Sequence, residues 1–250
     1  MEERQRPRNQ GQLHWGHEAW ARQVSSTAMF CCEMTLSCCR LKSIGFNPEF
    51  ILDVGANIGD WSRLIKEVYP ASKVFMIEGS ETCSADLETT GNLYTISLVG
   101  KQNSMAEYFE NSKGTGNSIY RERSRYFSST KSHTKPIRTL DTLMAGHPAV
   151  QMLKLDIQGA ELDALMGAER VLESVEVILL EISLINYNEG APLALDTFSY
   201  LNERGFDLFD LIDFTSFPTL GESFLGQVDF IVVRRNSSLF TRKTEVIKAT

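Results

Sequence analysis

The feature that most constrains this chain is Ile-Leu-Asp-Val-Gly-Ala-Asn-Ile-Gly-Asp-Trp-Ser, the stretch from Ile51 to Ser62. The pattern predicts a short buried strand from Ile51 to Val54, a turn from Gly55 to Gly59, and then the start of a helix. Glycine has no Cβ, so the backbone can bend sharply and a ligand can lie against it. The carboxyl end of such a strand is where open α/β sheets bind their ligands.

Two nucleotide-like cofactors are candidates for this turn, and the alternative is a strand-to-helix turn without a ligand. A dinucleotide site needs Gly-x-Gly-x-x-Gly, but Asn57 and Asp60 stand where its second and third glycines belong. The Asp60 carboxylate would repel a pyrophosphate at the helix N-terminus. S-adenosylmethionine has no phosphate and carries a cationic sulfur and an ammonium group, so acidic surroundings suit it. The turn therefore favours S-adenosylmethionine over NAD.

A second acid follows the next predicted strand, which runs from Lys73 to Ile77 and places Glu78 at its end. Glu78 lies roughly 25 residues after Asp53, about one βα unit further along the chain. A carboxylate at that position can accept hydrogen bonds from both hydroxyls of a ribose. Glu78 is therefore the predicted ribose ligand.

The pattern of the first stretch is repeated later, in Met-Leu-Lys-Leu-Asp-Ile-Gln-Gly-Ala-Glu-Leu, which begins at Met152. It predicts an apolar strand with Asp156 at its end, a turn at Gly159 and a helix from Ala160. Asp156 and Asp53 should then emerge near each other at the carboxyl edge of the sheet. Glu161, in the first helical turn, suits the helix dipole.

Another strand is predicted from Val175 to Leu180, where the nearly continuous apolar run is typical of a strand buried on both faces. Glu181 follows it and makes a fourth carboxylate at a strand end. Packing does not explain such a set, so we interpret the four acids as one polar rim around a site: Asp53, Glu78, Asp156 and Glu181.

The fold class follows from the alternation of strands and helices, which predicts an α/β domain with a mostly parallel sheet. The chain ends in a helix and two strands, Phe206 to Leu211 and Val228 to Val233. This ending predicts that the last strand returns antiparallel.

The expected organisation is a mobile tail (1–12), an N-terminal helical segment (13–45), a main domain (46–235) and a frayed C-terminal tail (236–250). The helical segment would cover one edge of the domain, close over a substrate or form the contact of a homodimer. Residues 101–138 are expected to be an insertion on the substrate side, in the form of a β-ribbon with a mobile loop.

The predicted insertion contains a basic and aromatic run. Arg121, Arg123 and Arg125 with Tyr126 could hold an anionic or sugar-like substrate. The alternative is a solvated loop.

Charge and hydropathy restrict partners and location. The formal net charge of −7 gives no basic field for nucleic acid. No apolar run approaches the roughly 20 residues of a membrane span, and the N-terminus has no apolar core of a secretory signal. We therefore expect no nucleic-acid partner, no membrane span and a cytoplasmic location.

Five cysteines form a pattern that could suggest a metal: Cys31, Cys32, Cys38, Cys39 and Cys83. Zinc sites space their cysteines by two to four residues, and neither His14 nor His17 completes such a frame. We therefore predict buried or half-buried free thiols on a helix, and no metal site.

Taken together, the motifs resemble the FkbM-like family of S-adenosylmethionine-dependent methyltransferases. The resemblance covers roughly Leu41 to Arg234, and Lys-x-Asp-x-(Glu/Gln)-Gly-x-Glu is its most specific block. The matching segments are Ile51–Gly59, Ile77–Glu78, Asn117–Ser118, Arg138–Leu143, Leu153–Leu162, Leu180–Ser183 and Gln227–Phe230.

The resemblance implies a class I, Rossmann-like methyltransferase fold with a seven-stranded sheet and S-adenosylmethionine as cofactor. It implies that Asp53 to Gly59 wraps the methionine end and that Glu78 binds the ribose. Leu98 and Val99 would lie near the adenine. The implied cofactor residues are Asp53, Gly55, Ala56, Asn57, Gly59, Glu78, Gly79, Leu98, Val99 and Asp156.

The activity that the resemblance implies is O-methylation of a hydroxyl on a sugar, glycolipid or natural product, so the partner would be a small-molecule or glycan acceptor. A carboxylate could take the hydroxyl proton. Asp156 is the first candidate, with Glu181 or His133 next, unless Asp156 only positions the cofactor or the substrate. The alternatives are an NAD-linked oxidoreductase and a cofactor-binding module that does not catalyse.

Overall fold

The computed structural model describes residues 33–111, 116–123, 130–217 and 224–248. Several sequence predictions lie outside the described residues: the tail 1–12, the start of the helical segment (13–32), Arg125 with Tyr126, and Cys31 with Cys32.

Ten strands and eight α-helices, with one short 3₁₀-helix (Glu81–Cys83), make up the described residues. The strands are β1 (Phe50–Val54), β2 (Lys73–Glu78), β3 (Leu93–Ile96), β4 (Leu98–Val99), β5 (Ser104–Asn111), β6 (Thr130–Arg138), β7 (Met152–Leu155), β8 (Val177–Ser183), β9 (Phe206–Phe217) and β10 (Phe224–Arg234). The helices are α1 (Glu33–Ser43), α2 (Asp60–Val68), α3 (Ser84–Thr89), α4 (Leu140–Leu143), α5 (Glu161–Met166), α6 (Glu169–Ser174), α7 (Ala194–Glu203) and α8 (Ser238–Lys248).

Seven strands form the main sheet, in the order β3-β2-β1-β7-β8-β10-β9. The first five are parallel, and β10 is antiparallel to both of its neighbours. This arrangement confirms the predicted class I methyltransferase fold. The chain builds the sheet outward from β1 to β3 and then restarts beside β1 at β7, so the strand order reverses between β1 and β7.

The sheet separates two apolar cores because successive side chains of a strand point to opposite faces. In β1, Leu52 packs into one core, which α4 to α7 cover, and Ile51 packs into the other. The second core is covered by α1, α2 and α8, with Cys38 on α1 among its buried residues. The central strands are therefore apolar on both faces.

The C-terminal region differs from its prediction. We expected a frayed tail after residue 235, but Ser238–Lys248 forms α8. The helix is held because Leu239 is buried in the second core and the ring of Phe240 packs edge-on against Phe209 at 5.3 Å.

The last strands are longer than predicted. Strand β8 continues to Ser183 because β10 pairs Gln227 with it across the antiparallel ladder. Glu181 is therefore inside a strand and not after its end.

Much of the predicted insertion folds as a second sheet, in the order β4-β6-β5. Strands β5 and β6 form the expected antiparallel ribbon, and Leu98 and Val99 of β4 pair in parallel with the end of β6.

Within the described ranges, no helix is long and apolar enough to cross a membrane. In the same part of the chain, no group of three or more His, Cys, Asp or Glu side chains could hold a metal ion. Cys38, Cys39 and Cys83 are buried, and no disulfide links any two of these three described cysteines.

Candidate functional site

A cavity of about 210 Å³, open to solvent, lies at the carboxyl edge of the main sheet beside the reversal point between β1 and β7. We call it the main cavity. It is lined by Val54, Gly55, Asn57, Ile77, Glu78, Gly79, Ser97, Leu98, Val99, Tyr108, Gly116, Asn117, Ser118, Ile119, Asp156, Ile157, Gln158 and Ala160.

The glycine turn forms one wall of the main cavity. Gly55 has a φ of 81°, and a Cβ there would lie 1.8 Å from the carbonyl oxygen of Asp156. Only glycine fits this position, because both the backbone conformation and the close approach exclude a side chain. Asn57, with a φ of 48°, turns its backbone N–H toward Glu78.

Not every residue predicted in this turn reaches the main cavity. Ala56 is buried, and a Cβ on Gly59 would meet the side chain of Thr90 at 2.6 Å. Gly59 therefore allows α2 to pack closely on the segment that follows α3.

Glu78 is held in place by two backbone amides. Its Oε2 accepts a hydrogen bond from Asn57 N at 2.7 Å, and its Oε1 accepts one from Ser80 N at 2.8 Å. Burial raises the pKa of Glu78, although these hydrogen bonds act in the opposite direction. Each carboxylate oxygen can still accept another hydrogen bond, so the group is oriented for a ligand with paired hydroxyls.

Next to Glu78, the wall becomes apolar. Leu98 and Val99 are buried, and a Cβ on Gly79 would meet Leu98 Cδ2 at 2.7 Å and the hydroxyl oxygen of Tyr108 at 2.9 Å. Gly79 therefore packs directly against Leu98 and Tyr108, and all three residues line the main cavity.

Asp53 and Asp156 lie at different depths. Asp53 is fully buried, does not line the main cavity, and accepts a hydrogen bond from Ser62 Oγ at 2.6 Å. Asp156 lines the cavity with 31% of its side chain exposed, and its Oδ1 accepts a hydrogen bond from Gln158 Nε2 at 3.0 Å.

Lys154 lies between these two acids, and sequence reasoning missed it. Its Nζ is 3.4 Å from Asp53 Oδ1 and 3.4 Å from Asp156 Oδ2. Burial alone would lower the pKa of Lys154, but the two carboxylates outweigh it and the pKa is raised. The signal was present, since a lysine interrupts the apolar strand two residues before Asp156, on the same face.

Two further carboxylates adjoin Asp156 on neighbouring strands. Glu181 and Asp229 are paired across β8 and β10. Burial raises the pKa of Glu181 well above its usual value, and the charges of Asp156 and Asp229 raise it further. Burial, followed by the charge of Asp156, raises the pKa of Asp229 to about 7. These carboxylates are close enough to compete for protons.

Two amide side chains hold this acid group together. Gln158 Nε2 donates to Glu181 Oε1 at 2.7 Å, and Gln227 Nε2 donates to the same oxygen at 2.8 Å. Glu181 thus has two amide donors but is not among the described residues that line the main cavity.

Glu161 has a structural position. Its carboxylate accepts hydrogen bonds from the backbone amides of Ile157, at 2.8 Å, and Gly159, at 2.9 Å. Burial raises the pKa of Glu161 to about 7, although these hydrogen bonds act to lower it. Glu161 therefore fixes the turn that presents Asp156.

His133 is located on the second sheet. Its Nε2 pairs with Glu110 Oε2 at 2.5 Å, and 41% of its side chain is exposed. The described lining of the main cavity does not include it. Of the three candidate catalytic residues, the structure therefore places only Asp156 on the cavity wall.

The second sheet and its loops supply a wall that sequence reasoning did not assign. Tyr108 comes from β5, and Asn117 to Ile119 follow it. Ser118 Oγ donates to the carbonyl oxygen of Gln158 at 2.8 Å, which ties this wall to the turn after β7. The only signal in the sequence was the Asn117–Ser118 motif of the resemblance.

Two arginines of the predicted substrate loop, Arg121 and Arg123, are among the described residues. Arg123 forms an ion pair with Glu189 at 2.5 Å, both largely exposed, and neither Arg121 nor Arg123 lines the main cavity.

The charges in the cavity wall suit a cationic ligand. Among the described residues that line it, the charged groups are the carboxylates of Glu78 and Asp156, with no lysine or arginine. A pyrophosphate needs cations or a free helix N-terminus. The donor set therefore fits S-adenosylmethionine better than NAD.

Comparison with known proteins gives two matches at the level of sequence. A family model described as the methyltransferase FkbM domain matches residues 53–208. Methyltransferase sdnD of Sordaria araneosa is 26% identical over 208 residues, which are 68% of this chain and 78% of that protein.

Similar solved structures include cofactor-bound Rv0187 from MTB, with a TM-score of 0.48 at 11% identity, over 86% of this chain and 82% of that chain. A putative O-methyltransferase from Klebsiella pneumoniae has a TM-score of 0.45 at 10% identity, over 90% of this chain and 93% of that chain.

Proposed function

Since this chain belongs to the FkbM methyltransferase family and is an S-adenosylmethionine-dependent methyltransferase, we propose that it methylates a hydroxyl oxygen of a sugar, glycolipid or natural product. The observation that carries this proposal is Asp156, a carboxylate on the wall of the main cavity, oriented by Lys154 and Gln158. A carboxylate in that position can accept the proton that a hydroxyl must lose.

The same proposal assigns the donor's position. Glu78 would hold the ribose, Gly79, Leu98 and Val99 would enclose the adenine, and Gly55 with Asn57 would lie along the methionine end. We propose that Asp53 acts from below the wall, because it is fully buried.

When bound, S-adenosylmethionine supplies a methyl group on a cationic sulfur. The protein's contribution is to hold the acceptor oxygen in line with that methyl group, about 3–3.5 Å away. Asp156 accepts the hydroxyl proton as the oxygen–carbon bond forms, while the electron pair of the broken sulfur–carbon bond remains on sulfur. Glu181 and His133 remain the second candidates for this proton.

Turnover tests the acceptor chemistry. The wild-type protein and Asp156→Asn are incubated with methyl-labelled S-adenosylmethionine and a panel of sugars, glycolipids and hydroxylated natural products. We expect labelled methyl ethers from the wild type and a kcat roughly 10²–10⁴-fold lower for Asp156→Asn at saturating donor. Label on nitrogen or carbon would refute O-methylation, and an unchanged kcat would refute the role of Asp156.

Calorimetry tests the donor's position without an acceptor. Glu78→Ala should weaken S-adenosylmethionine binding roughly tenfold or more, because a ribose then loses a charged hydrogen-bond acceptor. Glu67→Ala, an exposed glutamate on α2, is the matched control and should bind as the wild type does. Equal affinities for the two variants would refute this placement.

A further inference from the structure

Three charged side chains form a line beneath the main cavity, and the register of the sheet places them there. Asp53 on β1 is paired with Lys154 on β7, so their side chains share one face. Asp156 lies two residues beyond Lys154 and shares that face. The ammonium group is 3.4 Å from an oxygen of each carboxylate.

Only one end of this line reaches the cavity. The side chains of Asp53 and Lys154 are 0% and 5% exposed, whereas that of Asp156 is 31% exposed. The ring of Trp61 lies 5.6 Å from the Lys154 ammonium and helps to enclose it. Water therefore has little access to the inner pair, and the ions must compensate each other.

We infer that Asp53 neutralises Lys154 inside the protein, so that Asp156 presents an uncompensated negative charge to the cationic sulfur of the methyl donor. Asp53 and Lys154 are thus positioning residues that act through Asp156. This inference rests on the donor's position proposed above and adds how the protein sets the charge beside the sulfur.

The burial of Asp53 supports this arrangement. Its Oδ2 has a donor in Ser62, whereas its buried Oδ1 has no hydrogen-bond partner among the described residues, because Lys154 Nζ donates to Asp156 Oδ2 and contacts Asp53 only as an ion pair. A fully buried carboxylate is stable only when a cation or hydrogen bonds compensate it. Lys154 is the cation within 4 Å of that oxygen among the described residues, so the pair belongs to the interior.

The charge count predicts that the protein binds the methyl donor more tightly than the product. With one cation and two carboxylates, the line carries a net charge of about −1. The donor has a positive sulfur, whereas S-adenosylhomocysteine, the product, has a neutral one. The uncompensated charge of Asp156 therefore favours the donor over the product, which helps the spent molecule to leave.

Other acids face Asp156 and are not replaced in any variant: Glu181 on β8, Asp229 on β10 and Glu161 on α5, with Glu78 on β2 near Asp53. Measurements at about pH 8 lie above the pKa values of Asp229 and Glu161, which are about 7. The quantity of interest is the ratio of the two dissociation constants, product over donor.

Asp53→Asn is the decisive variant, because it keeps the shape of the side chain and the contact with Ser62 but removes one charge. Lys154 then compensates Asp156, and the ratio should fall roughly tenfold. Asp156→Asn should lower the ratio similarly. The double variant Asp53→Asn with Lys154→Met removes both inner charges and should return the ratio to within about twofold of the wild type.

Two controls separate charge from structure. Lys154→Arg keeps the cation and should keep the wild-type ratio. Lys101→Met breaks an ion pair with Asp163 at 3.7 Å outside the main cavity and should change neither affinity. Thermal unfolding of each variant shows that it is folded.

A purely structural role would weaken donor and product binding equally. An unchanged ratio in folded Asp53→Asn would therefore overturn the inference, and so would a double variant that folds but is not restored. If the double variant does not fold, the inference is judged from the ratios of the dissociation constants measured for Asp53→Asn and Lys154→Arg. The test needs no acceptor, so a failed O-methylation assay does not affect it. If Glu78→Ala binds S-adenosylmethionine as tightly as the wild type does, the proposed position of the donor is refuted instead.

Discussion

Two strand–turn–helix segments of this protein, β1 to α2 and β7 to α5, are alike in sequence and neighbours in the sheet, yet they use their aspartates differently. In the first, Asp53 is fully buried. In the second, Asp156 is 31% exposed on the wall of the main cavity. The cause is register: Asp53 is paired with Lys154, so Asp156 lies two residues nearer the sheet edge.

The difference shows that a position near a strand end does not by itself bring an acid to the cavity. Its depth depends on how far the neighbouring strands extend, which only the pairing determines. One aspartate therefore supports the fold and the other faces the main cavity. This contrast can be tested through stability.

The contact between the two turns should give the largest effect. Gly55→Ala would place a Cβ 1.8 Å from the Asp156 carbonyl oxygen at a φ of 81°, so we expect a loss of about 4 kcal/mol in unfolding free energy. Urea denaturation measures it. Gly91→Ala, with a φ of 70° and open space around it, should lose only about 1–2 kcal/mol. Similar losses for both would mean that the turns do not interlock.

Removing the hydrogen bond that supports the buried Asp53 should have an intermediate effect on stability. Ser62→Ala leaves Asp53 Oδ2 without its hydrogen-bond donor in the interior, so we expect a loss of about 2 kcal/mol in unfolding free energy. Ser43→Ala, which removes an exposed hydrogen bond to the carbonyl oxygen of Arg40 at 2.7 Å, should lose less than about 1 kcal/mol. Equal losses for the two variants would mean that the buried carboxylate does not depend on its hydroxyl donor.

The half-buried acid Asp229 should give the smallest effect, and it should be a gain. The folded pKa of Asp229 is raised to about 7, mainly by burial, so its contribution to stability falls as pH rises from about 4 to about 7. After allowance for solvent screening, Asp229→Asn should be about 1 kcal/mol more stable than the wild type at about pH 8, and nearly equal to it at about pH 4.

Urea denaturation at both pH values checks this prediction, with Asp207→Asn as the control. Arg235 lowers the pKa of Asp207, so that acid contributes stability above the unfolded pKa, and its replacement should cost stability at about pH 8. A gain in both variants would point to a general effect of net charge.

The sequence was sufficient for the fold and for much of the cavity wall. Local patterns carry that information: an apolar strand, a glycine turn and an acid at a spacing of one βα unit predicted Gly55, Asn57 and Glu78 correctly as neighbours. The antiparallel last strand followed from two consecutive strands at the end of the chain.

The rest depended on pairing between distant segments. Lys154 is placed beside Asp53 only by the register between β1 and β7. Tyr108 and Ser118 reach the main cavity because the second sheet folds back on the turn after β7. Helix α8 was missed because its anchor, Leu239, packs into a core formed by residues distant in sequence.

The main cavity has walls from the glycine turn, from the second sheet and from the turn after β7, which has a consequence during synthesis. Gly55 and Asp156 are separated by roughly one hundred residues, which a ribosome adds in about 5–20 seconds. In that interval the turn at Gly55 has been synthesised, but the Asp156 carbonyl group that packs against it has not. On the proposed placement of the methyl donor, the nascent chain has no complete binding site for it until β7 has emerged, so the donor cannot assist the folding of the first half.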